Sequence, residues 1–181
     1  MLQTYEALKA SIRTIPDYPE PGINFRDIST LISHADLFHE AIYGLAEPYM
    51  GQVDEVVSIE ARGLVFGPPI AFATHAGVVM ARKQGKLPPP TTSRTYSLEY
   101  GTAELEISPQ QIKEGDRIVV VDDLIATGGT AEAAVRLAKD AGAHVVGVCA
   151  LIDLPELGGS TKLREQGLAV HTLIDFMESE I

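Results

Sequence analysis

The sequence is poor in several features that would mark a more specialised protein. It has one cysteine in 181 residues, Cys149, which excludes an internal disulfide framework. Positive charge is scarce, with 14 Lys and Arg against 25 Asp and Glu and a formal net charge of -11. General nucleic-acid binding needs a basic footprint, so no nucleic-acid partner is expected. An anionic ligand would instead require a local island of cations. No signal peptide opens the chain, and the cytoplasm is the expected location. From Gly63 to Ala81 there is no Asp, Glu, Lys or Arg at all. Length alone would allow a membrane span there, but Pro68, Pro69, His75 and three glycines predict a helix, a turn and a strand. What remains is 45% hydrophobic, enough for the core of one compact domain spanning 1–181.

The rest of the chain is organised around Arg117 to Ala131, RIVVVDDLIATGGTA. Ile118 to Val121 is a continuous β-branched run, the pattern of a strand buried on both faces of a parallel sheet. It is expected to end on Asp122 and Asp123. Ala126, Thr127, Gly128, Gly129 and Thr130 follow, and then a helix-forming stretch, so the glycine loop falls between a strand end and a helix start. Open α/β sheets bind ligands there. Glycines let the backbone approach an anion closely, and the N–H groups of a first helical turn, with the two threonine hydroxyls, can hold a phosphate. Taken alone, the loop is equally a tight turn beside solvated acids. Two carboxylates set before a phosphate cradle suit a sugar phosphate, with acids for the ribose hydroxyls and any Mg²⁺. A P-loop is excluded, because the Gly85-Lys86 pair is followed by Leu87, and no G-x-G-x-x-G occurs.

Val119 to Thr130, VVVDDLIATGGT, resembles almost letter for letter the phosphoribosyl-diphosphate signature of the type I phosphoribosyltransferase family. Pro21 to Ser29, PGINFRDIS, is similar to the base-binding loop of the adenine-specific branch, and Tyr96 to Gly101, YSLEYG, to the family's mobile catalytic loop. The resemblance runs from about Pro16 through Leu163. Two departures are Asn24 in place of an apolar residue and Ala61 in place of Ser before Arg62.

The resemblance implies a single α/β domain with a mostly parallel central sheet flanked by helices and a flexible β-ribbon flap. The base-binding segment would be about 16–30, the flap about 84–107 and the sugar-phosphate loop 122–130. It implies adenine plus 5-phosphoribosyl-1-diphosphate giving AMP plus diphosphate, Mg²⁺ as cofactor with Asp122 and Asp123 as candidate ligands, and a homodimer. By the same resemblance, Phe25 stacks on the purine, Leu154 closes the opposite face, and groups at Asn24 and Arg26 read the ring edge. Arg62, Arg82, Lys83 and Lys86 meet the diphosphate, and Glu99, Tyr100 and Arg62 serve catalysis. Two alternatives stay open: an enzyme for a 6-oxo purine, which the PGINFRDIS loop speaks against, and a non-catalytic regulatory module. Such a module needs a DNA-binding extension, for which there is neither length nor charge.

From the residues themselves, Phe25 reads as a core anchor and Arg26 as a partner of Asp27. Pro16 to Ser29 reads as an extended loop without regular structure. An opening helix is expected to reach Ile12, and a longer one to cover Ala35 to Met50. Strands are expected at Val53–Glu60, Val78–Ala81, His144–Ile152 and Ala169–Ile174, with a short helix near Ser160–Gln166. Gly85–Thr95 should be an excursion, followed by a ribbon of Tyr96–Tyr100 and Thr102–Ile107. Cys149 reads as core. His34 and His39 read as surface residues without metal-ligand company.

Overall fold

The computed structural model describes residues 2–97 and 102–177. A seven-stranded sheet runs in the order β5 (Thr92–Ser97), β6 (Thr102–Ile107), β4 (Gly77–Lys83), β3 (Glu55–Ile59), β7 (Arg117–Ile125), β8 (His144–Asp153) and β9 (Val170–Asp175). Its parallel part comprises β3, β4, β7, β8 and β9. At one edge β5 and β6 form an antiparallel ribbon. Helices α1 (Leu2–Ser11), α2 (Ser29–Ile32), α3 (Ala35–Ala46), α4 (Gly63–Thr74), α5 (Gly129–Asp140) and α6 (Gly159–Glu165) complete the domain. Among the described residues no helix is long and apolar enough to cross a membrane.

The period of two in β7 divides the core. Val119 and Val121 join the apolar layer with Leu45, Phe66 and Ile70, whereas Ile118 and Val120 join the opposite layer with Val135 and Leu137. All four strand residues are fully buried, each contributing about 1.5–3 kcal/mol of transfer free energy. That explains why a continuous apolar run, rather than an alternating one, marks the central strand. Cys149 lies in the first layer, fully buried, its thiol donating to the Leu45 carbonyl at 3.6 Å. His34 and His39 are exposed.

Several boundaries differ from the sequence expectations. The central strand does not stop at the two aspartates but continues through them to Ile125, because Asp122, Leu124 and Ile125 keep their pairing with Ala150, Ile152 and Asp153 of β8. The proline-rich loop is interrupted by β2 (Phe25–Asp27), paired antiparallel with β1 (Arg13–Ile15). Local proline content cannot reveal a pairing made with residues ten to fourteen positions earlier. The excursion after Gly85 is shorter than expected, since Thr92 to Thr95 are already in β5. Nor is the ribbon free at its base, where β6 pairs with β4 through Arg82↔Glu106 and Lys83↔Leu105. The helix expected to reach Met50 is α-helical only to Ala46 and closes in a 3₁₀ turn at Pro48.

Candidate active site

The chain order reverses between β3 and β7, and the C-terminal ends of these neighbouring strands open a crevice there. A cavity of about 300 Å³ fills it, lined by Glu60, Arg62, Tyr96 and every residue from Asp122 to Ala131. The acidic pair, the glycine loop and Arg62 therefore line one cavity. Gly128 takes φ +79° at the N-cap of α5, a conformation that favours glycine, and begins a twelve-residue helix whose first residues, Gly129 to Ala131, line the cavity. Gly63, the first residue of α4, is required by proximity instead. A Cβ there would lie 2.9 Å from the Val121 carbonyl oxygen and 3.1 Å from Asp122 Oδ1.

The acidic pair sits in a field of its own making. The Asp123 amide donates to Asp122 Oδ1 at 2.8 Å. Burial, then the neighbouring Asp123 carboxylate, hold Asp122 well above the usual carboxylate range. Asp123 is also raised by burial, with the Arg62 guanidinium opposing the shift. Arg62 Nε stands 3.0 Å from Asp123 Oδ2, yet that buried oxygen accepts no well-aligned hydrogen bond among the described residues. It remains an acceptor for a hydroxyl or a cation. Among the described residues no three His, Cys, Asp or Glu side chains converge on a metal position. Two adjacent carboxylates fit Mg²⁺ of the kind that takes one or two protein oxygens and completes its shell with water and substrate phosphates.

Arg62 also faces the base-side loop, its guanidinium carbon 5.1 Å from the centre of the Phe25 ring. Phe25 is half-buried and meets Tyr18 edge-on at 5.2 Å, so it is not the core anchor that local sequence suggests. A second cavity of about 290 Å³ lies beside this loop, with Asn24, Arg26, Leu154, Leu157 and Phe176 among its walls. Three of the four expected base-site residues thus converge, while Phe25 faces Arg62. Arg26 does not pair with Asp27, which binds Arg13 at 2.7 Å. It donates instead to Thr14 Oγ1 and the Met177 carbonyl, with its guanidinium 4.2 Å from the Phe176 ring centre.

The basic turn after β4 is held by two acids that sequence reasoning missed. Glu60 accepts from Arg82 at 2.7 Å and from the Lys83 amide at 3.1 Å. Glu106, on β6, accepts from the Lys86 and Leu87 amides at 2.9 and 2.8 Å. Burial alone would raise Glu106, but amides of Leu87, Gly85 and Lys86 hold it below its ordinary value. Arg82 is therefore committed to Glu60 and to the Lys86 carbonyl, whereas the Lys83 and Lys86 side chains are exposed. None of the three lines the 300 Å³ cavity. The antiparallel register of β4 and β6 sets Glu106 opposite Arg82, and no local pattern in the sequence marks its role in the turn. Glu99 and Tyr100 lie outside the described residues.

Comparison with known proteins places this geometry among relatives. A phosphoribosyl transferase domain model matches residues 32–172. The chain is 54% identical over 173 residues to an adenine phosphoribosyltransferase of Methylorubrum extorquens, covering 95% of this chain and 96% of the relative. The crystal structure of adenine phosphoribosyltransferase from Rhodothermus marinus superposes with a TM-score of 0.91 at 45% identity, covering 97% of this chain and 100% of the other. The Saccharomyces cerevisiae enzyme, solved with an imino-altritol bisphosphate and adenine, gives a TM-score of 0.89 at 34% identity, covering 96% and 100%.

Proposed function

The chain belongs to the phosphoribosyl transferase domain family, and on that premise we propose that it transfers the 5-phosphoribosyl group of 5-phosphoribosyl-1-diphosphate to adenine in purine salvage, releasing AMP and diphosphate. The observation that carries the reading is the position of Arg62, 3.0 Å from Asp123 on the sugar side and 5.1 Å from the Phe25 ring on the base side. One residue thus joins a carboxylate-and-glycine cradle to an aromatic loop.

The amides of Ala126 to Thr130 and the hydroxyls of Thr127 and Thr130 bind the 5-phosphate. Asp122 and Asp123 accept hydrogen bonds from the ribose hydroxyls, and this fixes the sugar with C1 towards the base loop. Mg²⁺, held by the diphosphate and ribose with Asp122 and Asp123 as protein ligands, would neutralise charge on the leaving group. As the C1–O bond breaks, positive charge develops on the ribose and negative charge on the diphosphate. Arg62, Arg82, Lys83 and Lys86 stabilise the latter. The purine nitrogen then forms the new bond to C1. Phe25 and Leu154 hold the ring, with backbone groups at Asn24 and Arg26 reading the edge that distinguishes a 6-amino from a 6-oxo purine. Glu99 assists proton movement at the purine, Tyr100 serves catalysis with it, and exclusion of water from the site protects the activated sugar from hydrolysis.

The working form is a homodimer in the cytoplasm. Supporting the dimer are exposed apolar side chains on α4 and β4, where Phe72 is 90% exposed and Val78 and Met80 are more than a third exposed. The single cysteine is in keeping with the location.

Diphosphate release tests the reading, with Mg²⁺, the sugar diphosphate and adenine, hypoxanthine, guanine or xanthine offered separately. Release with adenine alone is expected. Release with a 6-oxo purine would overturn the base assignment, and binding of the sugar diphosphate without release with any base would favour a regulatory module.

A further inference from the structure

Two consecutive glycines, Gly158 and Gly159, begin α6 for different physical reasons. Gly158 takes φ +73°, but a Cβ there would meet nothing within 4 Å. Gly159 is needed because of what lies against it. A Cβ on Gly159 would collide with the Ala126 carbonyl oxygen and lie 2.5 Å from the Gly128 nitrogen and 2.7 Å from the Thr127 carbonyl carbon, all backbone atoms of the phosphate loop. The approach is reciprocal, since a Cβ on Gly128 would lie 3.0 Å from the Gly159 carbonyl oxygen. A hydrogen bond fixes the contact, with the Gly159 amide donating to the Ala126 carbonyl at 3.0 Å.

The same segment is tied at two further points. The Leu154 amide donates to the Ile125 carbonyl at 3.0 Å, so consecutive carbonyls of the loop's start are taken up by the two ends of Leu154–Gly159. Farther along, Lys162 of α6 and Gln166 just past its end reach Glu132 in the first turn of α5 at 2.5 and 3.2 Å. The glycine loop is thus backed by a strap that shares no sequence continuity with it and does not line the 300 Å³ cavity.

Building on the phosphoribosyl reading, we propose that Gly159 is a positioning residue. By contact with Ala126, Thr127 and Gly128 it sets the loop amides at the spacing a sugar 5-phosphate requires, without touching the ligand. A side chain at 159 moves the loop and weakens ligands that carry the 5-phosphate, while ligands bound only at the diphosphate side are spared.

The test is calorimetric titration of wild type, Gly159→Ala and Gly158→Asn with ribose 5-phosphate and, separately, with inorganic diphosphate and Mg²⁺. Gly159→Ala should weaken ribose 5-phosphate roughly tenfold or more and leave diphosphate within about twofold. Gly158→Asn, which tolerates a left-handed backbone and has open space, should bind both as wild type does. Unaltered ribose 5-phosphate affinity in Gly159→Ala, or equal loss of both ligands, would overturn the proposal. Failure of wild type to bind ribose 5-phosphate at all would overturn the site reading and this inference with it. Should Gly159→Ala not fold, amide exchange on the wild-type chain decides. Slow exchange at Gly159, further slowed by ribose 5-phosphate, is expected, and fast exchange indifferent to the ligand is the contrary result.

Discussion

The two cavities are built in opposite ways. The first cavity draws ten consecutive residues, Asp122 to Ala131, from one strand-to-helix transition, and what they would offer the proposed sugar phosphate is mostly backbone amides and carboxylates. The base-side cavity is assembled from segments around residues 22–26, 154–157 and 176–177, which meet only in the folded chain. Backbone recognition suits a phosphate, whose charge needs several N–H groups at fixed spacing and whose shape does not vary. A wall gathered from distant segments can be altered one side chain at a time, which suits the selection of one purine among several. The contrast predicts that substitutions on the two sides separate kinetically, and that only a residue touching both sides disturbs both.

Arg62→Ala should have the largest effect. Steady-state kinetics should show kcat/KM falling about a thousandfold, with the KM for adenine and for the sugar diphosphate both raised. The melting temperature should fall as well, because Asp123 is left buried without its partner. If only one KM moved, Arg62 would belong to one side and the contrast would lose its bridge. Asp123→Asn comes next, raising the KM for the sugar diphosphate ten- to a hundredfold, that is about 1.5–3 kcal/mol, with the KM for adenine unchanged. Leu154→Ala should do the converse, raising the adenine KM about tenfold through lost apolar contact and sparing the sugar diphosphate. Equal shifts in both constants for either variant would merge the two sides.

The smallest effect is expected at the opposite end of the same strands. Asp54 accepts from Arg117 Nη2 at 2.8 Å and from the Arg117 amide at 2.8 Å, and these bonds pull its pKa from 3.8 down to about 2. A depressed carboxylate stabilises the fold above its unfolded pKa and loses that contribution as pH falls through the folded one. Asp54→Asn should therefore lower the melting temperature slightly at pH 7, with the difference from wild type vanishing between about pH 4 and pH 2. Its kinetic constants should match wild type, since neither cavity is near.

Legibility in the sequence follows the same division. The sugar-phosphate loop could be read because its chemistry is contiguous: apolar run, two acids, glycines and helix start succeed one another within fifteen residues. Even there one boundary was hidden. β7 continues through Asp122 and Asp123 because β8 supplies pairing partners, which no local pattern records. Glu60 and Glu106 look like ordinary strand-end and edge-strand acids until the fold brings the basic turn against them. Gly159 stands more than thirty residues from the loop it supports, and its only trace is a Gly-Gly pair before a short helix. On the base side the resemblance named Asn24, Phe25, Arg26 and Leu154, but three line the cavity while Phe25 turns towards Arg62. The β1–β2 pairing that presents that loop was likewise invisible, being made by residues that read separately as helix end and proline loop.

On this reading the crevice and the base-side loop form one site joined through Arg62, which touches Asp123 and Phe25. A crystal structure of the chain with AMP bound tests it most directly. The phosphate is expected against the amides of Ala126 to Thr130, the ribose hydroxyls on Asp122 and Asp123, and the purine between Phe25 and Leu154. A purine bound away from both of those side chains, with the phosphate still in the loop, would contradict it.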